Sequence, residues 1–71
     1  SVPFVLGLNG NAVTLAPPLA EARRRWGADA TVAVDLTTCF EFHLVGEKRP
    51  GHAEPEWHGV GRTWSRAFEE A

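Results

Sequence analysis

The stretch from Thr31 to Val45 alternates without a break: Val32, Val34, Leu36, Thr38, Phe40, Phe42 and Leu44 share one parity, while Asp35, Glu41 and His43 fall on the other. Successive side chains of an extended backbone point to opposite faces, so period two sustained this long calls for β-structure and argues against an amphipathic helix. Two arrangements satisfy it. A hairpin with its loop at Thr37, Thr38 and Cys39 sets Leu36 opposite Phe40, Val34 opposite Phe42 and Val32 opposite Leu44, keeping the apolar residues on one side; a two-residue loop would break that face. Alternatively, Thr-Thr-Cys contains no Gly, Pro, Asn or Asp and continues as strand. The single strand over 31–45 would then far exceed the usual five or six residues, and would bend around a small core or pair with a second copy of the chain. Either way, the even-numbered positions are expected to face a dry interior, with Asp35, Glu41 and His43 turned away from it.

Upstream, Asn9-Gly10 lies between two apolar segments. This dipeptide favours a type I′ turn because both positions need φ > 0. A two-residue loop there sets Leu8 opposite Asn11, Leu6 opposite Val13 and Phe4 opposite Leu15, predicting strands over 3–8 and 11–16. Pro17-Pro18 ends the second strand, and Pro18 suits the first turn of a helix, where its missing N–H costs nothing. Leu19, Ala22, Arg23 and Trp26 follow at helical spacing, Glu21 and Arg25 can pair at i, i+4, and Gly27 supplies the stop. So short a helix needs the sheet for support. Residues 46–61 read as a loop punctuated by Pro50-Gly51, Pro55, Gly59 and Gly61, pinned by Trp57 and Val60. Over 62–71, Trp64, Ala67, Phe68 and Ala71 recur at helical spacing. Their flanking charges oppose the macrodipole, with Arg62 and Arg66 at the start and Glu69 and Glu70 at the end, so this helix depends on packing through Trp64 and Phe68.

These elements predict one small α+β domain: a β-hairpin, a short helix, a long alternating strand or second hairpin, and a C-terminal helix. The opening order, with Leu8-Asn9-Gly10-Asn11-Ala12-Val13-Thr14-Leu15 as its hairpin, resembles β-grasp domains such as ubiquitin-like sulfur carriers and plant-type ferredoxins. The resemblance covers about 25 residues. It implies no activity here, because the chain closes on Glu69-Glu70-Ala71 where a sulfur carrier has Gly-Gly, and carries one cysteine where a ferredoxin uses four.

At 71 residues, the chain buries only about 60% of the surface its unfolded form exposes and, lacking a disulfide framework, must be held by packing, a metal or a partner. Cys39 alone cannot build a disulfide framework, which points to a reducing compartment, and the beginning of the chain lacks a basic segment ahead of its apolar residues. A cytoplasmic location is expected. Six of the seven basic residues are Arg, and Met, Ile, Tyr and Gln are absent, a bias typical of a GC-rich, bacterial genome. A net charge of −2 argues against a nucleic-acid footprint.

Four groups of side chains have chemical potential. In an extended loop His52, Glu54, Glu56 and His58 project to one side, a donor set suited to zinc, manganese or non-haem iron, although no established metal-site spacing accompanies it. On the polar face of the alternating segment, Glu41 and His43 form a second candidate metal pair. There the three-residue loop would bring Asp35 opposite Glu41 and raise one carboxyl pKa. Cys39 and His43 share that face but stand about 13 Å apart along a strand, too far for a direct dyad. Arg23, Arg24 and Arg25 beside Trp26 could contact phosphates, though a helix C-terminus accounts for them. Trp26, Trp57 and Trp64 overload so small a core, so Trp57, Trp64 and Phe68 are candidate interface residues.

The expected function is therefore a non-catalytic protein-interaction module or small accessory subunit, homodimeric or part of a larger complex, with no cofactor and no membrane association. The alternatives are a divalent-metal protein or metal-dependent enzyme using the His/Glu groups, and a regulator touching nucleic acid through Arg23–Arg25.

Overall fold

A computed structural model describes residues 3–71 and shows an α+β architecture of two antiparallel sheets and two helices. In chain order these are β1 (Phe4–Leu6), β2 (Ala12–Thr14), α1 (Ala16–Trp26), β3 (Ala30–Leu36), β4 (Glu41–Glu47), β5 (Glu56–Gly61) and α2 (Trp64–Glu70). β1 and β2 form a separate ribbon, and the larger sheet has the order β3-β4-β5. The likeness to a β-grasp domain thus stops at the order of the first elements.

Asn9 and Gly10 take the positive φ values, 65° and 75°, that their dipeptide favours. The loop is nevertheless wider than two residues. Gly7 N–H donates to Asn11 O at 2.6 Å and Gly10 N–H to Gly7 O at 3.1 Å, and the pairs become Phe4 with Thr14, Val5 with Val13 and Leu6 with Ala12. The predicted partners of Phe4 and Leu6 are each displaced by one residue. Val5 and Val13 now turn inward, and Phe4 and Leu6 are left 42% and 62% exposed. Helix α1 carries Pro at its first turn and stops at Gly27, whose φ of 88° admits the backbone bond from Gly27 N–H to Arg23 O.

The alternating segment is a hairpin, and its register overturns the expected face assignment. Leu36 pairs with Glu41, Asp35 with Phe42, Val34 with His43 and Val32 with Val45. Thr37 N–H donates to Phe40 O at 2.8 Å, and the Thr37 hydroxyl accepts from Phe40 N–H at 2.9 Å. The turn therefore spans an even number of residues, and one step of register moves every β4 side chain to the other face. Val32 and Val34 share a face with Glu41, His43 and Val45, while Phe42 and Leu44 share the opposite face with Ala33 and Asp35.

The predicted loop over 46–61 is corrected in its second half, where β5 pairs His43 with Gly61, Leu44 with Val60 and Val45 with Gly59, then Gly46 with Trp57. His58 is the extra residue of a β-bulge, which keeps its side chain on the Val45 side. Glycine permits this strand because α2 lies against it: an added methyl at Gly59 would overlap the Ala67 carbonyl oxygen, and one at Gly61 would lie 2.7 Å from Ala67 N. α2 starts at Thr63, whose hydroxyl accepts from Arg66 N–H at 3.1 Å. Its unfavourable C-terminal charge is offset from outside, since Arg25 Nη1 donates to Phe68 O at 3.2 Å. Both helices cover the Val45 face, through Trp26 on His58 and Trp64 on His43. Among the described residues the buried apolar side chains are small: Pro18, Ala22, Ala30, Val45 and Ala67.

Candidate functional site: two carboxylate-histidine pairs and an open apolar sheet face

His43 and Glu41 stand two apart on β4 and hence on one face, the face that the helices cover. His43 Nε2 lies 2.5 Å from Glu41 Oε2. A carboxylate only accepts, so this nitrogen carries the proton. Glu41 Oε1 accepts from Leu8 N–H at 2.7 Å, tying the N-terminal ribbon to the sheet. The His43 hydrogen bond, then that of Leu8, hold the Glu41 carboxyl below the ordinary carboxylate range against the opposing effect of burial. His43 is buried beneath Trp64, with ring centroids 4.4 Å apart, and its Nδ1 has no hydrogen-bond partner. The sequence reading turned Glu41 and His43 toward solvent; the one-residue slip encloses them instead.

A second pair repeats the pattern. The bulge turns His58 toward Glu47 Oε2, 2.7 Å from its Nε2, and under the Trp26 ring, 4.8 Å centroid to centroid. His58 holds the Glu47 carboxyl below its ordinary range, with Arg49 adding to the effect. Glu56 Oε2 lies 3.7 Å from His58 Nδ1. Of the His52, Glu54, Glu56 and His58 quartet, Glu56 and His58 thus meet on β5, with Glu47 added. His52 and Glu54 lie exposed on the loop before it. Among the described residues, no three His, Cys, Asp or Glu side chains converge on a point that could hold a metal ion. Cys39 is exposed at the tip of the β3–β4 hairpin, away from buried His43. Asp35 does not meet Glu41, so the expected carboxylate repulsion is absent.

Arg23, Arg24 and Arg25 lie on the exposed last turn of α1. Arg24 and Arg25 both bind Glu21, and Arg25 also sits over the Phe68 ring at 4.6 Å. Trp64 and Phe68 are half-buried and, with Pro17, Pro18, Glu21 and Arg25, line a shallow groove of about 550 Å³ between the two helices.

The opposite face of the larger sheet is apolar and uncovered by either helix. Phe42 and Leu44 form its centre on β4, Ala33 and Thr31 flank them on β3, and Val60 and Trp57 flank them on β5. Phe40 extends the surface past the turn, its ring 6.0 Å from that of Phe42, and Arg62 lies across both rings at 4.3 and 5.8 Å. Phe40 is 44% and Val60 45% exposed. Comparison with protein-family models, with curated proteins and with solved structures finds no match. Trp57 is the one expected interface residue on this face. Sequence reasoning placed Phe42 and Leu44 in the core and read Arg62 as a charge at the start of the C-terminal helix instead of a neighbour of this face. The signal for Arg62 was its spacing from Val60, two residues on in an extended chain.

Proposed function

We propose that this chain is a non-catalytic protein-interaction module, a small subunit that works by association with itself or within a larger complex. The observation that carries the reading is where the apolar surface lies. Among the described residues the buried apolar side chains are no larger than Val45 and Pro18, whereas half-buried Phe42 and Leu44 and exposed Phe40 and Val60 are gathered on a sheet face that neither helix covers. A sheet that is apolar on both faces is ordinarily covered on both, and an exposed apolar patch with a polar rim marks an interaction surface. The experiment is in-cell crosslinking with a photo-reactive amino acid in place of Val60, and with the same group in place of Arg23 on the outside of α1. A discrete adduct from position 60 alone supports the reading. No adduct from position 60, or equal adducts from both positions, overturns it.

A second reading, metal binding, is favoured by the two histidines anchored through Nε2 to carboxylates, an arrangement that orients metal-bound imidazoles. His58 Nδ1 and Glu56 would be its starting donors, with Glu47 holding the ring through Nε2 and the remaining ligands supplied from outside this pair. Elemental analysis of protein purified without chelator, with thermal shifts in zinc, manganese and iron, tests it. Absence of both stoichiometric metal and any shift removes it.

A further inference from the structure

We infer that the occupant of the open sheet face is a second copy of this chain, packed face to face about a two-fold axis that runs along β4. This rests on the interaction reading above and specifies its partner. The argument comes from how charge and size are distributed across the face. Asp35 on β3 pairs with Phe42 on β4, and Arg62, following β5, lies across the same Phe42 ring. One acidic and one basic side chain thus flank the central strand at the same level. Neither enters an ion pair among the described residues.

A two-fold axis along β4, midway between two facing sheets, exchanges the flanks: β3 of each copy lies over β5 of the other. Asp35 of each copy then faces Arg62 of its mate, twice over. The same operation sets the small side chains of the β3 flank, Thr31 and Ala33, against the large ones of the β5 flank, Trp57 and Val60, with Phe42 and Leu44 meeting their own counterparts at the centre. A two-fold axis across the strands would instead set β3 on β3 and leave both charges unmatched. Self-complementarity of this kind is what an isologous interface requires. Three strands about 4.8 Å apart and about six residues long give a footprint of roughly 14 by 20 Å. Side-chain relief brings the area buried by two copies to the order of 1,000 Å², the lower end for a specific interface and the size class in which weak, reversible association is found.

Sedimentation velocity of the full chain, from low micromolar to submillimolar concentration, tests the inference. A monomer–dimer equilibrium is expected. Asp35→Arg and Arg62→Asp should each weaken it by roughly tenfold or more, and the two together should restore most of the loss, because the swapped charges face each other again. Arg23→Asp should leave it unchanged. Should a charge reversal fail to fold by circular dichroism, Asp35→Asn and Arg62→Gln replace it, with weaker dimers expected from each. A folded wild-type monomer at every concentration overturns the second copy as partner, as does a dimer indifferent to both substitutions. The mass of the position-60 adduct separates this failure from that of the interaction reading: a mass other than twice the chain's 7.8 kDa rejects the second copy alone, and no adduct rejects both.

Discussion

Glu41 joins the N-terminal ribbon to β4, with the Leu8 amide on one oxygen, the His43 imidazole on the other and Gly7 close against the carboxylate. Its folded pKa lies below the unfolded value of about 4.3, so its contribution to stability is fully present above that pH and is lost as pH falls through the folded value. Glu41→Gln is expected to lower stability at neutral pH by about 1 kcal/mol and to flatten the acid limb of the stability curve. Urea titrations at several pH values check this, and an unaltered acid limb would show that the pair does not couple to folding. Gly59 is constrained by contact instead of charge. Because a methyl there overlaps Ala67 O and comes within 2.9 Å of Ala71 N, Gly59→Ala must push α2 off the sheet at a cost of roughly 3 kcal/mol. Thermal unfolding of that variant should show a midpoint lower by more than ten degrees, since each kcal/mol moves a domain of this size by about 4–8 °C.

Among the elements, those with strong local signals were legible. Pro17-Pro18 lie in the first turn of α1 and Gly27 ends it, and its charges pair as spacing predicts. Gly27→Ala, which forces a residue with a Cβ into φ near 88°, should cost about 1–2 kcal/mol in a denaturant titration without altering the helix content of the folded state. α2 was read despite adverse charges, and the compensating Arg25 contact to Phe68 O joins residues far apart in sequence. The strands were harder. Alternation in 31–45 announced β-structure but left the register open, because it carries no information on turn length; in the structure Thr37 closes an even turn, its N–H donating to Phe40 O and its hydroxyl accepting from Phe40 N–H. Thr37→Val removes that acceptor and should cost about 1 kcal/mol, with the largest amide-exchange change at Phe40. β5 was hidden because its two glycines read as breakers, when they are the places where α2 approaches closest.

For the whole molecule, the register of one hairpin decides what is core and what is surface. It encloses Glu41 and His43 and turns Phe42 and Leu44 outward, so the domain has one covered sheet face and one open one. If that face is free in the monomer, Val60→Lys should change the unfolding free energy of dilute protein by less than about 0.5 kcal/mol while weakening association at high concentration. A loss of core size, about 2 kcal/mol or more, would mean that the chain itself covers the face. The sequence by itself determined the α+β composition, the order of the first elements, the positive φ values at Asn9 and Gly10 and the two helices, because these follow from interactions between near neighbours. Tertiary structure decided the register of both hairpins, the existence of β5 and the face on which each β4 side chain lies. Those depend on loop closure and on contacts across the fold, such as Leu8 to Glu41 and Gly59 to Ala67, and alternation reads the same when a strand is turned over.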